Sequence, residues 1–242
     1  VISTANKQGR PTICITNDPT SPLALEADYV IPLGCGVEKA IAATKTYTST
    51  LSALSLLSCY LSEDRNSRLE NLKILPEKIT EVLNNSIETI EKTQRYRYMN
   101  HCVVIGRGFN YSTAFEISLK IKELTRVIAT PYSSADFSHG PIAMINKGFP
   151  IFVIAPSGKM FSHIYDFSKI LIDLEAELIV ISDNKKILGM GKTSFILPKN
   201  TPEWLSPIIA IIPGQLFARQ LAISKGLDSD NPEGLLKVTQ TY

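Results

Sequence analysis

Cys102-Val103-Val104-Ile105-Gly106-Arg107-Gly108, followed by the apolar-rich run from Ser112 to Leu124, decides the fold. Four consecutive apolar residues leave no polar face, so the segment reads as a strand buried on both sides, as in a parallel sheet. The two glycines make a sharp turn that exposes the start of the following helix to a ligand. A dinucleotide fingerprint would need a third glycine at position 111, where Tyr111 stands.

Similar short apolar runs lie on either side. Thr12 to Thr16 and Tyr29 to Leu33 precede this segment, and Ile151 to Ala155, Leu178 to Ile181 and Ser194 to Leu197 follow it. Helical patterns separate several of them: Ala43 to Ser62, Leu75 to Thr93, Met160 to Glu175 and Pro202 to Lys225. Strand–helix alternation predicts an α/β, three-layer fold with a parallel sheet flanked by helices. Glu63 to Leu75 is polar at its start and reads as a loop. The second unit, from about His101, carries four of the predicted strands and the first carries two. Val1 to Gln8 reads as the end of a helix, so the first domain is expected to lack its N-terminal half. The predicted division is residues 1–97, including a linking helix, and 98–242.

Hydrophobic residues make up 44% of the chain and charged residues 20%, which supports a sizeable core. The formal charge is +2, with no long Lys/Arg run, so no nucleic-acid partner is expected. Cys14, Cys35, Cys59 and Cys102 form no C-x-x-C pair and read as small thiols in a reducing compartment. No apolar stretch of 18 residues and no signal peptide is expected, so no membrane partner is expected and the location is cytoplasmic.

Glu116, Lys120 and Glu123 fall at i, i+4 and i+7, on one face of a helix whose other positions are largely apolar. That stripe suits a cleft, and it also suits a solvated face with a Glu116–Lys120 pair. Downstream, Tyr132-Ser133-Ser134-Ala135-Asp136-Phe137-Ser138-His139-Gly140-Pro141 gathers hydroxyls, a carboxylate and one of three histidines before a fixed turn. Histidine moves protons near neutral pH, although a loop histidine also serves structural ends.

Three ordered segments carry a resemblance. Gly106-Arg107-Gly108, Ala114-Phe115-Glu116, Leu119-Lys120-Ile121-Lys122-Glu123-Leu124 and Ser138-His139-Gly140-Pro141 resemble a sugar isomerase (SIS) pattern, G-R-G, A-x-E-x-x-L-K-x-K-E and H-G-P. Glu38 with Ile41-Ala42-Ala43-Thr44-Lys45-Thr46-Tyr47-Thr48 resembles its E-x-x-V-A-x-T-K segment. Asp228-Ser229-Asp230-Asn231-Pro232 and Leu235-Leu236-Lys237-Val238-Thr239 resemble its C-terminus. The likeness is to the isomerase part of glucosamine-6-phosphate synthases and, more closely, to stand-alone glucosamine-6-phosphate deaminases.

The resemblance implies two SIS domains and an amino-sugar phosphate isomerase or deaminase that releases ammonia and yields a ketose phosphate. A synthase isomerase domain, a fructosamine-phosphate deglycase and a non-catalytic sugar-phosphate sensor are the alternatives. It implies that Glu123 shuttles a proton between C1 and C2, that His139 assists ring opening from a partner subunit, and that Lys237 sits near the carbonyl. Substrate binding is expected from Glu38, Ala42, Ala43, Thr44, Glu116, Lys120, Ser133 and Ser134. No metal or cofactor is expected, and the partners implied are a sugar phosphate and a second copy in a homodimer with shared sites. The pattern has Ser where Ala43 stands and Glu where Thr130 stands. Its phosphate loop, S-x-S-G-x-[ST], would precede Val1.

Overall fold

In a computed structural model the chain is described over residues 1–237. It divides into two compact units, Val1–Leu72 and Lys73–Tyr242.

The first unit opens with α1 (Ile2–Lys7), β1 (Ile13–Thr16), α2 (Pro22–Glu26) and β2 (Tyr29–Pro32). β1 and β2 pair in parallel, with Cys14 opposite Val30. Ser21 and Pro22 start α2 by the usual chemistry: the serine hydroxyl accepts from the Ala24 amide, and proline at the first turn gives up no needed donor. α3 (Lys45–Tyr60) and α4 (Arg65–Lys73) follow. α4 occupies a stretch expected to be loop. Its sequence, RNSRLENLK, has no buried residue and so no apolar stripe, which hides it from any reading by hydrophobic period.

The second unit holds α5 (Leu75–Glu91), β3 (His101–Gly106), α6 (Asn110–Thr125), β4 (Ile128–Ser133), α7 (Ser134–Ser138) and β5 (Pro150–Ile154). Then come α8 (Phe161–Asp173), β6 (Glu177–Ser182), α9 (Lys185–Leu188), β7 (Thr193–Ile196) and α10 (Ser206–Ser224). The sequence division at residue 97 placed α5 with the first unit. In the structure α5 buries Leu75, Val82, Ser86 and Thr89 and packs on α10 and β7, which puts it with the second.

The five strands run parallel in the order β4-β3-β5-β6-β7. Four were expected. β4 was missed because Pro131 interrupts its apolar run. Proline is tolerated there because β4 is an edge strand. Alternate residues face opposite layers. Val103, Ile105, Ile151, Val153 and Val180 pack with Ile164, Phe167 and Leu171 of α8. On the other face Phe152 meets Phe217 of α10 edge-on, with ring centroids 4.7 Å apart. Helices therefore flank the sheet on both sides, as the pattern of strands and helices predicts.

Gln215, Arg219 and Gln220 interrupt α10, so no unbroken apolar stretch of 18 residues runs through it, as expected, although its average character is apolar. Glu203–Ser224 is long and apolar enough to cross a membrane by length and composition, with 72% of its window buried inside the protein. It is the core helix on which α5 and α6 pack. Gly214 lets α6 come close: a Cβ there would lie 2.3 Å from Ile117 Cγ1.

Strand order places the switch of connection direction between β3 and β5, beside the Gly106-Arg107-Gly108 turn. A Cβ on Gly106 would stand 2.2 Å from the Asn110 carbonyl oxygen, so only glycine allows this tight exit into α6.

Candidate active site

α6 supplies a linked cluster of three charged side chains. Its apolar positions, Ala114, Ile117, Ile121 and Leu124, are buried. Lys120 is buried among them, with only 4% of its side chain exposed. A buried ammonium needs partners. Its Nζ donates to Glu123 Oε2 at 2.6 Å and lies 3.4 Å from Glu116 Oε1. Glu116 keeps 11% of its side chain exposed and Glu123 keeps 24%. Burial pushes the Glu116 carboxyl up from its ordinary value; Lys120 pulls it down and the nearby Glu123 charge adds to the upward push. The i, i+4, i+7 stripe is thus a linked ion triad, and a solvated face is not what it makes.

Glu123 also opens on a cleft of about 210 Å³. One wall is the end of α6, with Glu123, Leu124 and Arg126; the other is the chain after α10, Gly226 to Asp228 and Asn231 to Glu233. Arg126 ends α6 in the left-handed conformation (φ 59°, ψ 15°). Its guanidinium donates to Glu233 Oε2. The tail is shaped locally: Asp228 Oδ1 accepts from the Asp230 and Asn231 amides at 2.8 and 3.1 Å. Lys237 closes the described residues, exposed, four positions beyond Glu233.

The Ser133–His139 segment forms α7 and its caps. Ser133 Oγ accepts from the Asp136 amide at 3.1 Å and donates to Asp136 Oδ2 at 2.7 Å, so its hydroxyl is engaged as a helix cap. Ser134 is buried and its Oγ accepts from Arg107 Nη1 at 3.4 Å, tying α7 to the turn after β3. His139 caps the other end of α7, exposed, with its amide on the Asp136 carbonyl at 3.2 Å.

In the first unit Glu38 folds back onto the start of α3. Oε1 accepts from the Thr44 amide (3.0 Å), the Thr44 hydroxyl (3.1 Å) and the Lys45 amide (3.2 Å), and Oε2 accepts from the Thr46 amide (3.0 Å). Burial alone would push its carboxyl up, but the hydrogen bonds from Thr46 and Thr44 together outweigh it and hold the group at about 2. A negative charge at a helix start also meets the favourable end of the dipole. Ala42 is buried and Ala43 partly so in the turn that Glu38 braces.

The structure brings Glu116, Lys120 and Glu123 together and keeps Ser133, Ser134 and His139 on α7. Sequence reasoning quoted Arg107 only within the G-R-G turn and gave no site role to it, to Arg126 or to Glu233. Arg126 stands three positions beyond Glu123, and that helical spacing was the one available signal.

Comparisons with known proteins bear on the chain as a whole. The SIS domain family profile matches residues 1–59 and 96–225. The chain is 30% identical over 238 residues to the isomerizing glutamine–fructose-6-phosphate aminotransferase of Aquifex aeolicus, covering 98% of this chain and 40% of that protein. The Thermotoga maritima enzyme of the same name is 33% identical over 244 residues, again with 96% of this chain and 40% of that protein covered. This chain therefore spans about 40% of the length of these curated relatives. The C-terminal domain of glucosamine-fructose-6-phosphate aminotransferase from Francisella tularensis superposes with a TM-score of 0.87 at 26% identity, over 95% of this chain and 67% of that one. Glucosamine-6-phosphate deaminase from Thermotoga maritima superposes with a TM-score of 0.75 at 28% identity, over 97% and 68%.

Proposed function

The chain belongs to the SIS domain family, and from that premise we propose that it carries the isomerase site of an amino-sugar phosphate enzyme that releases ammonia and yields a ketose phosphate. The observation that carries this reading is Glu123, a carboxylate bonded by a buried lysine at 2.6 Å and opening on the 210 Å³ cleft. Isomerisation needs one base that reaches two adjacent carbons. In this reading Glu123 takes the proton from C2 of the open-chain sugar and returns it to C1. As the C1 oxygen gains a proton and the C2 amine gives one up, the nitrogen at C2 becomes an imine, which water hydrolyses to the ketose carbonyl and ammonia. Lys120 holds the carboxylate in place, and Glu116 balances that buried cation. His139 assists ring opening across a homodimer contact, and Lys237 faces the carbonyl. Glu38 acts indirectly, by holding the Ala42-Ala43-Thr44 turn. Ser133 and Ser134 shape α7 near His139. The two compact units correspond to two SIS domains.

A second reading is supported by the curated relatives, which are aminotransferases at 30% and 33% identity. There the same site runs as the isomerase part of a larger synthase and ammonia is consumed. Ammonia and ketose phosphate are measured after incubation with glucosamine 6-phosphate. Stoichiometric release of both supports the first reading. Consumption of ammonia with fructose 6-phosphate, and no net release, favours the second. Glu123→Gln is expected to keep substrate affinity and lose turnover by roughly 10²–10⁴-fold. Near-normal turnover in that variant removes Glu123 from the mechanism.

A further inference from the structure

We propose that Arg126 and Glu233 form a latch that holds the chain after α10 against the end of α6, which makes them positioning residues for the site assigned to Glu123; the catalytic half of this statement rests on that assignment. The cleft beside Glu123 exists because two separate pieces of chain face each other across it, the last turn of α6 and the segment from Gly226 to Glu233. α10 ends at Ser224, and Gly226 (φ 75°) turns the chain, with the Leu227 amide on the Ala222 carbonyl at 2.9 Å. Within the tail, Asp228 holds the Asp230 and Asn231 amides, and the Leu235 amide bonds the Pro232 carbonyl at 3.3 Å. The Arg126–Glu233 pair reaches across from the tail to α6.

Arg126 sits where glycine is the usual residue. Its φ of 59° is the left-handed conformation that commonly ends helices and that a side chain disfavours. Glycine would relieve the backbone and supply no guanidinium, whereas arginine spans the cleft to Glu233. The two side chains are 62% and 83% exposed, so the attraction is screened by water and salt. An exposed pair of this kind changes an equilibrium by at most about five-fold. That strength suits a closure that must also reopen to let a ligand enter and leave. The latch also tethers Lys237, because four residues of extended chain reach at most about 14 Å.

Charge reversal tests it. Arg126→Glu, Glu233→Arg and the double reversal are compared by amide hydrogen exchange of the tail and by steady-state kinetics with glucosamine 6-phosphate. Each single variant is expected to lower protection of the Asp230, Asn231 and Leu235 amides by about five-fold or more, since repulsion replaces attraction. The double variant is expected to return to within about two-fold of the parent, as a restored pair should. Turnover is expected to follow the same order, lost in both singles and regained in the double. Unchanged protection in the singles, or failure of the double to recover it, overturns the latch. Protection that responds while turnover of an active parent does not overturns the positioning role. A parent inactive on every amino-sugar phosphate refutes the catalytic reading, and the exchange arm then decides the latch alone.

Discussion

Lys120→Met removes the one cation of a buried triad while nearly keeping its volume. Glu116 and Glu123 are then left facing each other with 11% and 24% of their side chains exposed. Removing one partner of a buried ion pair costs about 3–5 kcal/mol. Because Glu123 reaches the cleft, the lower end applies, about 3 kcal/mol. In a chain of this size each kcal/mol shifts the melting temperature by roughly 2–4 °C, so a fall of roughly 6–12 °C is expected at pH 7.5. The pH dependence gives the decisive signature. The Glu116 carboxyl is already raised above its ordinary value of 4.5. A raised carboxyl stabilises fully below its unfolded value, and that contribution is lost as pH rises through the folded one. Without Lys120 the folded value climbs further, so the variant loses stability more steeply than the parent between about pH 4.5 and neutrality. At acid pH the deficit shrinks, because the parent then buries Lys120 beside protonated carboxyls. Calorimetric melts at pH 4.5, 6.0 and 7.5 check this. A deficit under about 1 kcal/mol at pH 7.5, or one of equal size at all three pH values, would refute the claim that Lys120 neutralises a buried acid pair.

Other expectations rest on separate contacts. Gly214→Ala drives a Cβ to within 2.3 Å of Ile117 and should destabilise by about 1–3 kcal/mol, less up to about 1 kcal/mol regained in helix propensity. Pairing it with Ile117→Val should recover part of that loss in a double-mutant cycle by chemical denaturation, and strict additivity would contradict the close packing of α6 on α10. Glu38→Gln should cost about 1 kcal/mol as a lost helix cap. Because the Glu38 carboxyl is held down at about 2, the parent's extra stability is present above pH 4.5 and fades as pH falls toward 2, and the variant's melting curve should be flatter over that interval. Mixing inactive Glu123→Gln and His139→Ala chains should restore some activity if sites are shared between subunits. A mixture that stays dead after subunit exchange argues for independent sites.

Much of the fold was legible because parallel strands lack a polar face, and runs such as Val103 to Ile105 announce burial on both sides. β4 was not, since Pro131 looks like a breaker until its edge position is known. α4 was not, since a helix with no buried residue leaves no period to count. The triad's members were readable from i, i+4, i+7 spacing, but that spacing fits a wet surface equally well. What separates the two is the near-total burial of Lys120, a property of α6 packing on α10 that spacing along one helix does not contain. Glu38 shows the opposite limit. Its substrate-binding role was implied only by the resemblance, and nothing in the sequence showed that both of its oxygens accept from the start of α3.

Pro131 has a bearing on how molecules of this protein meet one another. The Ile128 amide turns inward to the Asn100 carbonyl, so by strand alternation the amides of 130 and 132 also point to β3, and position 131 points outward. The outer rim of the sheet therefore lacks a donor at its middle. A strand arriving from another molecule could not complete a ladder there, and open sheet rims are where fibrous growth begins. The residue that concealed β4 from the sequence is thus the one that keeps this rim from acting as a template.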